Sequence, residues 1–92
     1  MSMGAEEART LKMMREDLEY EYEVGCIRRG EWEQRDGTII DIMDMTERHI
    51  RNCIRMLKNS NLDIAVLWIE RFEKELRFRQ YIRDIMDGRL DA

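Results

Sequence analysis

The sequence has no proline and, among 92 residues, only two cysteines and one histidine. The lack of proline favours long uninterrupted helices, because proline breaks the hydrogen-bond pattern of a helix interior. Cys26 and Cys53 are too few and too far apart for a zinc site, and they predict free thiols in a reducing compartment. No complete catalytic or metal-binding motif surrounds His49, so we predict a protein that is not an enzyme and that has no metal or cofactor.

The chain also lacks an excess of positive charge and any long apolar run. Sixteen Lys and Arg residues against twenty Asp and Glu residues give a net charge of −4 at pH 7. A nucleic-acid polymer is bound through its phosphates by a basic surface, which argues against that class of partner. No apolar run approaches the roughly 20 residues of a membrane span, and the acidic N-terminus is unlike a signal peptide. These absences predict a cytoplasmic protein without nucleic-acid polymer or membrane partners.

The composition suits a small helical domain. Hydrophobic residues make up 43% of the chain and charged residues 39%, a balance typical of helices with charged outer faces. We predict one domain over residues 1–92 with a mainly α fold: three helices, a short β-hairpin between the first and second, and a long C-terminal helix. The predicted bounds are helix 5–23, hairpin 31–42, helix 46–58 and helix 62–87.

The first predicted helix, residues 5–23, has apolar residues spaced three and four apart, including Ala8, Leu11, Leu18 and Tyr22. Gly25 is a natural helix stop, so we expect a loop over residues 25–30. Acidic residues crowd the second half of this helix: Glu16, Asp17, Glu19, Glu21 and Glu23. They are interpreted either as a solvated face or as a site for a cation or a basic protein.

Asp36-Gly37 is the only tight-turn signal in the chain. It predicts a two-residue type I′ turn, since both positions of that turn need a positive φ. Pairing Arg35 with Thr38 would then set Trp32 opposite Asp41. A lone hairpin is marginally stable, so we expect this one to pack on the helices.

The second helix has the clearest start signal. Thr46 is its predicted N-cap, with Met45 before it placed to pack against Ile50. Its apolar stripe comprises Ile50, Cys53, Ile54 and Leu57. Either Asn61 or Asp63 is expected to cap the third helix.

The third predicted helix has two apolar faces. The first face consists of Leu62, Ala65, Val66, Ile69, Phe72 and Leu76. The second consists of Leu67, Phe78, Tyr81, Ile82 and Ile85, with Ile64 and Trp68 close to it. One face is expected to pack on the other helices, while the second meets another subunit or is covered by the first helix. A homo-oligomer is our prediction, because so small a domain has little of its own chain to cover both faces.

Polar and aromatic residues around the hairpin and the second helix are the candidate ligand-binding set: Trp32, Arg35, His49, Asn52, Arg28 and Arg48. His49 and Asn52 are three apart and share a helix face. An indole can stack on a purine base, and arginine forks suit phosphate, so the set favours a nucleotide. The structural alternative is that Trp32 packs on the helices, the arginines pair with acidic residues and His49 hydrogen-bonds locally.

The 26 residues from Trp32 to Leu57 resemble a pattern of small uncharacterised proteins of tailed phages and prophages. In that pattern a Trp leads into a basic-Asp-Gly turn, followed by Ile-x-Ile, Asp-Met and a helix that begins with His-aliphatic-x-Asn. The matching positions here are Trp32, Arg35, Asp36, Gly37, Ile40, Ile42, Asp44, Met45, His49, Ile50, Asn52 and Leu57. The first helix and the long third helix lie outside the resemblance.

By looser analogy, the resemblance implies a counter-defence protein acting in an infected bacterial host. Some such proteins are sponges, oligomers that sequester a cyclic nucleotide immune signal, as in anti-CBASS defence evasion. We therefore expect a non-enzymatic homo-oligomer that binds and sequesters a nucleotide signal. The alternatives are an acidic, anti-CRISPR-like inhibitor that binds a host defence nuclease complex, and a phage structural or accessory protein that only self-associates.

Overall fold

Three helices and one hairpin make up the part of the chain that the computed structural model describes, residues 5–88, with side chains from Lys12 onward. In chain order the elements are α1 (Ala5–Arg29), β1 (Glu31–Glu33), β2 (Ile39–Asp41), a 3₁₀ turn (Ile42–Asp44), α2 (Glu47–Lys58) and α3 (Ile64–Met86). The strands are antiparallel. The predicted fold class, including the hairpin between the first two helices and the long last helix, is confirmed.

The predicted loop over residues 25–30 is wrong, because α1 passes through Gly25 and continues to Arg29. A glycine inside a helix costs only about 0.5–1 kcal/mol relative to alanine. Contacts with α3 offset that cost: Ile27 is buried, and its carbonyl oxygen accepts a hydrogen bond from Nε of Arg71 at 3.2 Å. The helix ends at Arg29, and the φ of +71° at the following Gly30 is the left-handed conformation common just after a helix.

Replacing Gly25 by alanine should therefore raise the free energy of unfolding by about 0.5–1 kcal/mol. The added Cβ would lie 3.1 Å from Nη1 of Arg29, the mobile end of a side chain. The matched variant Gly30→Ala should be destabilised for two reasons. Its backbone has a positive φ, and its Cβ would lie 2.7 Å from Nη2 of Arg71. Urea unfolding followed by circular dichroism measures both changes. A loss of stability in Gly25→Ala would contradict a continuous α1.

The hairpin register differs by one residue from the predicted one: Trp32 pairs with Ile40, not with Asp41. The turn has three residues, 35–37, closed by Gln34 N–H to the carbonyl oxygen of Thr38 at 2.8 Å. Only Gly37 has a positive φ, +88°, which fits a type I turn followed by a glycine bulge. The shift turns β2 over relative to β1, so Ile40 lies on the same face as Trp32 and both pack on the core.

The core lies between α2, α3 and the end of α1. Its buried residues are Ile27, Ile42, Met45, Ile50, Cys53, Ile54, Leu57, Ala65, Trp68 and Phe72. The predicted stripe of the second helix is confirmed, since all four of its members are buried. The predicted N-cap is also confirmed: Oγ1 of Thr46 accepts a hydrogen bond from the backbone N–H of His49 at 3.1 Å.

The predicted faces of the third helix are only partly right. Trp68, assigned near the second face, is buried, whereas Leu62 and Val66 from the first face are exposed. The Trp68 ring is held by the hairpin and by a hydrogen bond from its Nε1 to Oε1 of Glu23 at 3.0 Å. Asp63 occupies the N-cap position in an αR conformation and makes no capping hydrogen bond. Instead, Oγ of Ser60 accepts from the N–H of Leu62 at 3.2 Å.

The molecule is elongated, with extents of 70 × 27 × 22 Å and a radius of gyration of 18.5 Å; a compact chain of this length would have about 12 Å. Glu23 contacts Trp68 and Ile27 contacts Arg71, so α1 and α3 run side by side in the same direction. The stem, defined as residues 12–22 of α1, extends beyond the start of α3. Its predicted apolar residues Leu18 and Tyr22 are exposed, and the side chains of residues 8 and 11 lie outside the described ones.

Candidate ligand-binding site

A cleft of about 720 Å³ opens between the hairpin and α2. The hairpin cleft, as we name it, is lined by Trp32, Glu33, Gln34, Arg35, His49, Asn52, Cys53 and Met56. The structure thus brings together Trp32, Arg35, His49 and Asn52 from the predicted ligand-binding set. The volume is in the range of small-molecule sites, about 300–1,000 Å³.

The α2 wall of the hairpin cleft follows from helix spacing. Asn52, Cys53 and Met56 lie three, four and seven residues after His49, so they share one helix face. The Thr46 cap fixes the first turn of this helix and with it the His49 backbone. Burial raises the pKa of the Cys53 thiol, which keeps it protonated at neutral pH and unsuited to be a nucleophile. Cys53 therefore forms an apolar floor, and His49 and Asn52 supply the polar groups of this wall.

The opposite wall is fixed by the turn. Oδ1 of Asp36 accepts hydrogen bonds from the Thr38 hydroxyl at 2.7 Å and from the Thr38 N–H at 3.0 Å. These bonds, the hydroxyl first, hold the pKa of Asp36 below its usual value. Gln34 Nε2 donates to Oγ1 of Thr38 at 3.0 Å. Arg35 is exposed beside this network and forms no ion pair with another residue of the described chain.

Trp32 lies on the hairpin cleft and on the core at the same time. Its ring is 4.9 Å from the Trp68 ring at 83° and 5.2 Å from the Phe72 ring at 69°, both edge-to-face arrangements. The packing interpretation of Trp32 is therefore correct, and the ring also lines the cleft. A ring that is already held in place loses little side-chain entropy when a ligand binds.

Two predicted ligand residues lie elsewhere. Arg28 is on α1, because that helix continues past Gly25, and it lines a groove between α1 and α3. Arg48 precedes His49 on α2 and points about 100° away around the helix, so it does not line the hairpin cleft. The lining of this cleft contains one arginine, Arg35, and one carboxylate, Glu33. Its charge therefore suits a single anionic group rather than a chain of phosphates.

The sequence did not reveal a second cleft, of about 520 Å³, between the stem and the outer face of the hairpin. It is lined by Arg15, Leu18, Glu19, Tyr22, Glu23, Cys26, Glu31, Glu33, Ile39 and Trp68. The spacing of Leu18, Tyr22 and Cys26 along one helix face was the available signal. It was missed because the first helix was predicted to end before Cys26. A hydrogen bond with Cys26 raises the pKa of the Tyr22 phenol.

Among residues 5–88, no three or more His, Cys, Asp or Glu side chains are grouped so that they could hold a metal ion. Within the same range, no helix combines the length and hydropathy needed to cross a lipid bilayer. Comparisons with protein-family models, with curated proteins and with solved structures returned no match for this chain.

Proposed function

We propose that this chain is a non-enzymatic binding protein whose hairpin cleft holds a ligand of nucleotide chemistry. The supporting observation is that Trp32, Arg35, His49 and Asn52 line one cavity. The indole provides a ring for a base to stack on, and the Arg35 guanidinium can pair with a phosphate oxygen. His49 and Asn52 offer both hydrogen-bond donors and acceptors to a base edge or a ribose.

The charge of the cleft narrows the ligand class. Arg35 is the arginine of the lining, and Glu33 on the same wall repels additional negative charge. A mononucleotide, or one nucleotide unit of a cyclic dinucleotide, fits this balance better than a triphosphate. Sequestration of an immune signal by a homo-oligomer in an infected host is the biological setting of the proposal. That setting depends on the sequence pattern between Trp32 and Leu57.

The expected result is a higher melting temperature in the presence of mononucleotides or cyclic di- and trinucleotides. A ligand present at 100 times its Kd stabilises the folded state by about 2.7 kcal/mol. Arg35→Ala should weaken binding by about tenfold or more, because it removes a charge-assisted hydrogen bond worth about 1.5–3 kcal/mol. Arg35 is exposed and forms no ion pair in the described chain, so its removal should leave the fold unchanged.

Arg48→Ala is the matched control, since it removes the same side chain from α2 outside the hairpin cleft. It should bind the ligand as the unchanged protein does. Titration calorimetry with the ligand that gives the largest thermal shift compares the two variants. The proposal fails if no nucleotide of the panel shifts the melting temperature, or if both arginine variants lose affinity equally.

A further inference from the structure

The groove between α1 and α3 concentrates positive charge on an acidic protein. Its cavity of about 730 Å³ is lined by four cations, Arg28, Arg71, Lys74 and Arg77, with Glu70 as the one carboxylate of the lining. The remaining lining residues are Tyr20, Val24, Ile27 and Leu67. Within the described residues, Arg28, Lys74 and Arg77 form no ion pair. The groove therefore offers unneutralised charge above an apolar floor.

The stem continues the α1 side of this groove with the opposite charge. Asp17 and Met13 lie on the same face of α1 as Tyr20 and Val24, because successive members of this set are three or four residues apart. Glu16 and Glu21 flank this line. Met13 and Tyr20 are 65% and 53% exposed. One face of α1 thus changes from acidic on the stem to basic at the groove.

The α3 side of the groove continues in the other direction as an exposed apolar surface. Successive residues of one face of α3 are four or three positions apart. That face comprises Leu67, Arg71 and Lys74 at the groove, and Phe78, Tyr81 and Ile85 beyond it. Phe78 is 56% exposed and Tyr81 is 54% exposed. α1 covers this face of α3 only as far as its own end at Arg29. The C-terminal half of α3 has no neighbour on this face among the described residues.

The stem, the groove and the exposed C-terminal half of α3 together form what we call the composite face. We propose that this face binds a second copy of the chain in an antiparallel, two-fold arrangement. The stem projects from one end of the molecule and the exposed half of α3 from the other. A two-fold axis through the groove, perpendicular to both helices, exchanges these ends. It places the stem of each copy along the C-terminal half of α3 of its partner, so the same contact forms twice.

Charge and apolar surface both match in this arrangement. The carboxylates of Glu16, Asp17 and Glu21 meet the end of the partner's groove, where Lys74 and Arg77 lie. The exposed Met13, nearer the tip of the stem, meets the partner's apolar surface around Phe78 and Tyr81. A parallel arrangement would instead bring stem carboxylates against each other, which is unfavourable. An isolated projecting helix is also marginally stable in water, and the partner supplies the packing that it lacks.

This association does not depend on ligand binding. The composite face belongs to α1 and α3, whereas the hairpin cleft belongs to the hairpin and α2, and the two share no lining residue. Failure of one proposal would therefore leave the other standing. The oligomeric state tests the proposed association, and the thermal shift with nucleotide tests the proposed ligand binding.

Charge reversal tests the arrangement. The unchanged protein should show the mass of a dimer in native mass spectrometry and light scattering at 0.15 M salt, and it should dissociate more readily at 1 M salt. The double variant Asp17→Lys with Glu21→Lys reverses the charge of the stem. The double variant Lys74→Glu with Arg77→Glu reverses the charge of the groove. Each variant alone brings like charges together in both contacts, so each should dimerise at least about tenfold more weakly.

Mixing the two variants is the decisive step. In a mixed dimer, one contact joins a reversed stem to a reversed groove, and the other joins the native pair. Dimers should therefore return at equal concentrations of the two, with the mass of one copy of each. Arg48→Glu with Arg55→Glu, on α2, is the control with a matching number of charge reversals, and it should remain dimeric. Circular dichroism of every variant checks that the helices are retained.

Two results would overturn the proposal. One is an unchanged protein that stays monomeric at all concentrations and salt levels, which would leave the face to a partner of another kind, such as a basic protein on the stem. The other is a pair of folded, monomeric variants that do not form the mixed dimer.

Discussion

Phe72→Ala is expected to lower the free energy of unfolding by about 3–5 kcal/mol. Phe72 has no exposed surface, and its ring lies 5.2 Å from the Trp32 ring and 5.8 Å from the Trp68 ring. The substitution would leave a cavity at the point where α3 supports the hairpin. Native domains have a total stability of about 5–15 kcal/mol, so the variant should lose a large part of its stability and melt at a clearly lower temperature. Urea unfolding followed by circular dichroism measures the loss.

Phe78→Ala is the matched control, with the same change on the same helix. Phe78 is 56% exposed, and its removal should cost less than about 1 kcal/mol in the monomer. The comparison must be made at a dilution where the chain does not associate, because Phe78 belongs to the proposed dimer surface. Equal losses from the two variants would contradict the placement of Phe72 at the centre of the core.

Arg79→Met should cost a similar amount, about 3–5 kcal/mol, for an electrostatic reason. Nε of Arg79 donates to Oε1 of Glu75 at 3.1 Å, and Nη2 donates to the carbonyl oxygens of Ile42 and Met43 at 3.1 and 3.3 Å. The Glu75 side chain is only 10% exposed. Without Arg79 its carboxylate would stay buried without a countercharge, and α3 would lose its hydrogen bonds to the carbonyl oxygens of the 3₁₀ turn.

A double-mutant cycle separates these contributions. Arg79→Met with Glu75→Leu removes the unpaired charge and should recover much of the loss. Arg83→Met is the surface control: Arg83 pairs with Glu47, but its side chain is 47% exposed, so the loss should be at most about 1 kcal/mol. The charge interpretation is wrong if the double variant is as unstable as Arg79→Met alone.

The features predicted correctly from sequence are those that neighbouring residues decide. Thr46 caps α2 because its hydroxyl reaches the N–H of His49, three residues on. The buried stripe of α2 follows from spacing in the same way. Gly25 was misjudged because its helix is held by contacts to Arg71 and Trp68, 44 and 45 residues from their partners. A local cost of about 1 kcal/mol cannot outweigh such contacts.

The hairpin register shows a choice that the sequence pattern leaves open. Asp36-Gly37 is compatible with a two-residue and a three-residue turn. The Thr38 backbone and hydroxyl select the second, because both donate to Asp36 while that residue keeps a negative φ. The resulting shift decides which residues face the core, since neighbouring strand positions point to opposite sides.

In the candidate site, too, the residues that come together lie close in sequence, and the positions of the others depend on distant contacts. Trp32, Arg35, His49 and Asn52 meet because they lie on consecutive elements that pack together. The position of Arg28 depended on where α1 ends, which only contacts with α3 determine. Helix periodicity placed Trp68 incorrectly, because the hydrogen bond to Glu23 and the contact with Trp32 lie outside any local pattern.

The attachment of α1 has a consequence for the newly made chain. The groups that hold this helix, Trp68 and Arg71, follow their partners by 45 and 44 residues. At a synthesis rate of about 5–20 residues per second, they emerge roughly 2–9 s after the residues that they bind. Until then Ile27, which is buried in the folded chain, stays in water while the hairpin and α2 form behind it. For that interval the face of α1 that later packs on α3 is uncovered and open to a chaperone.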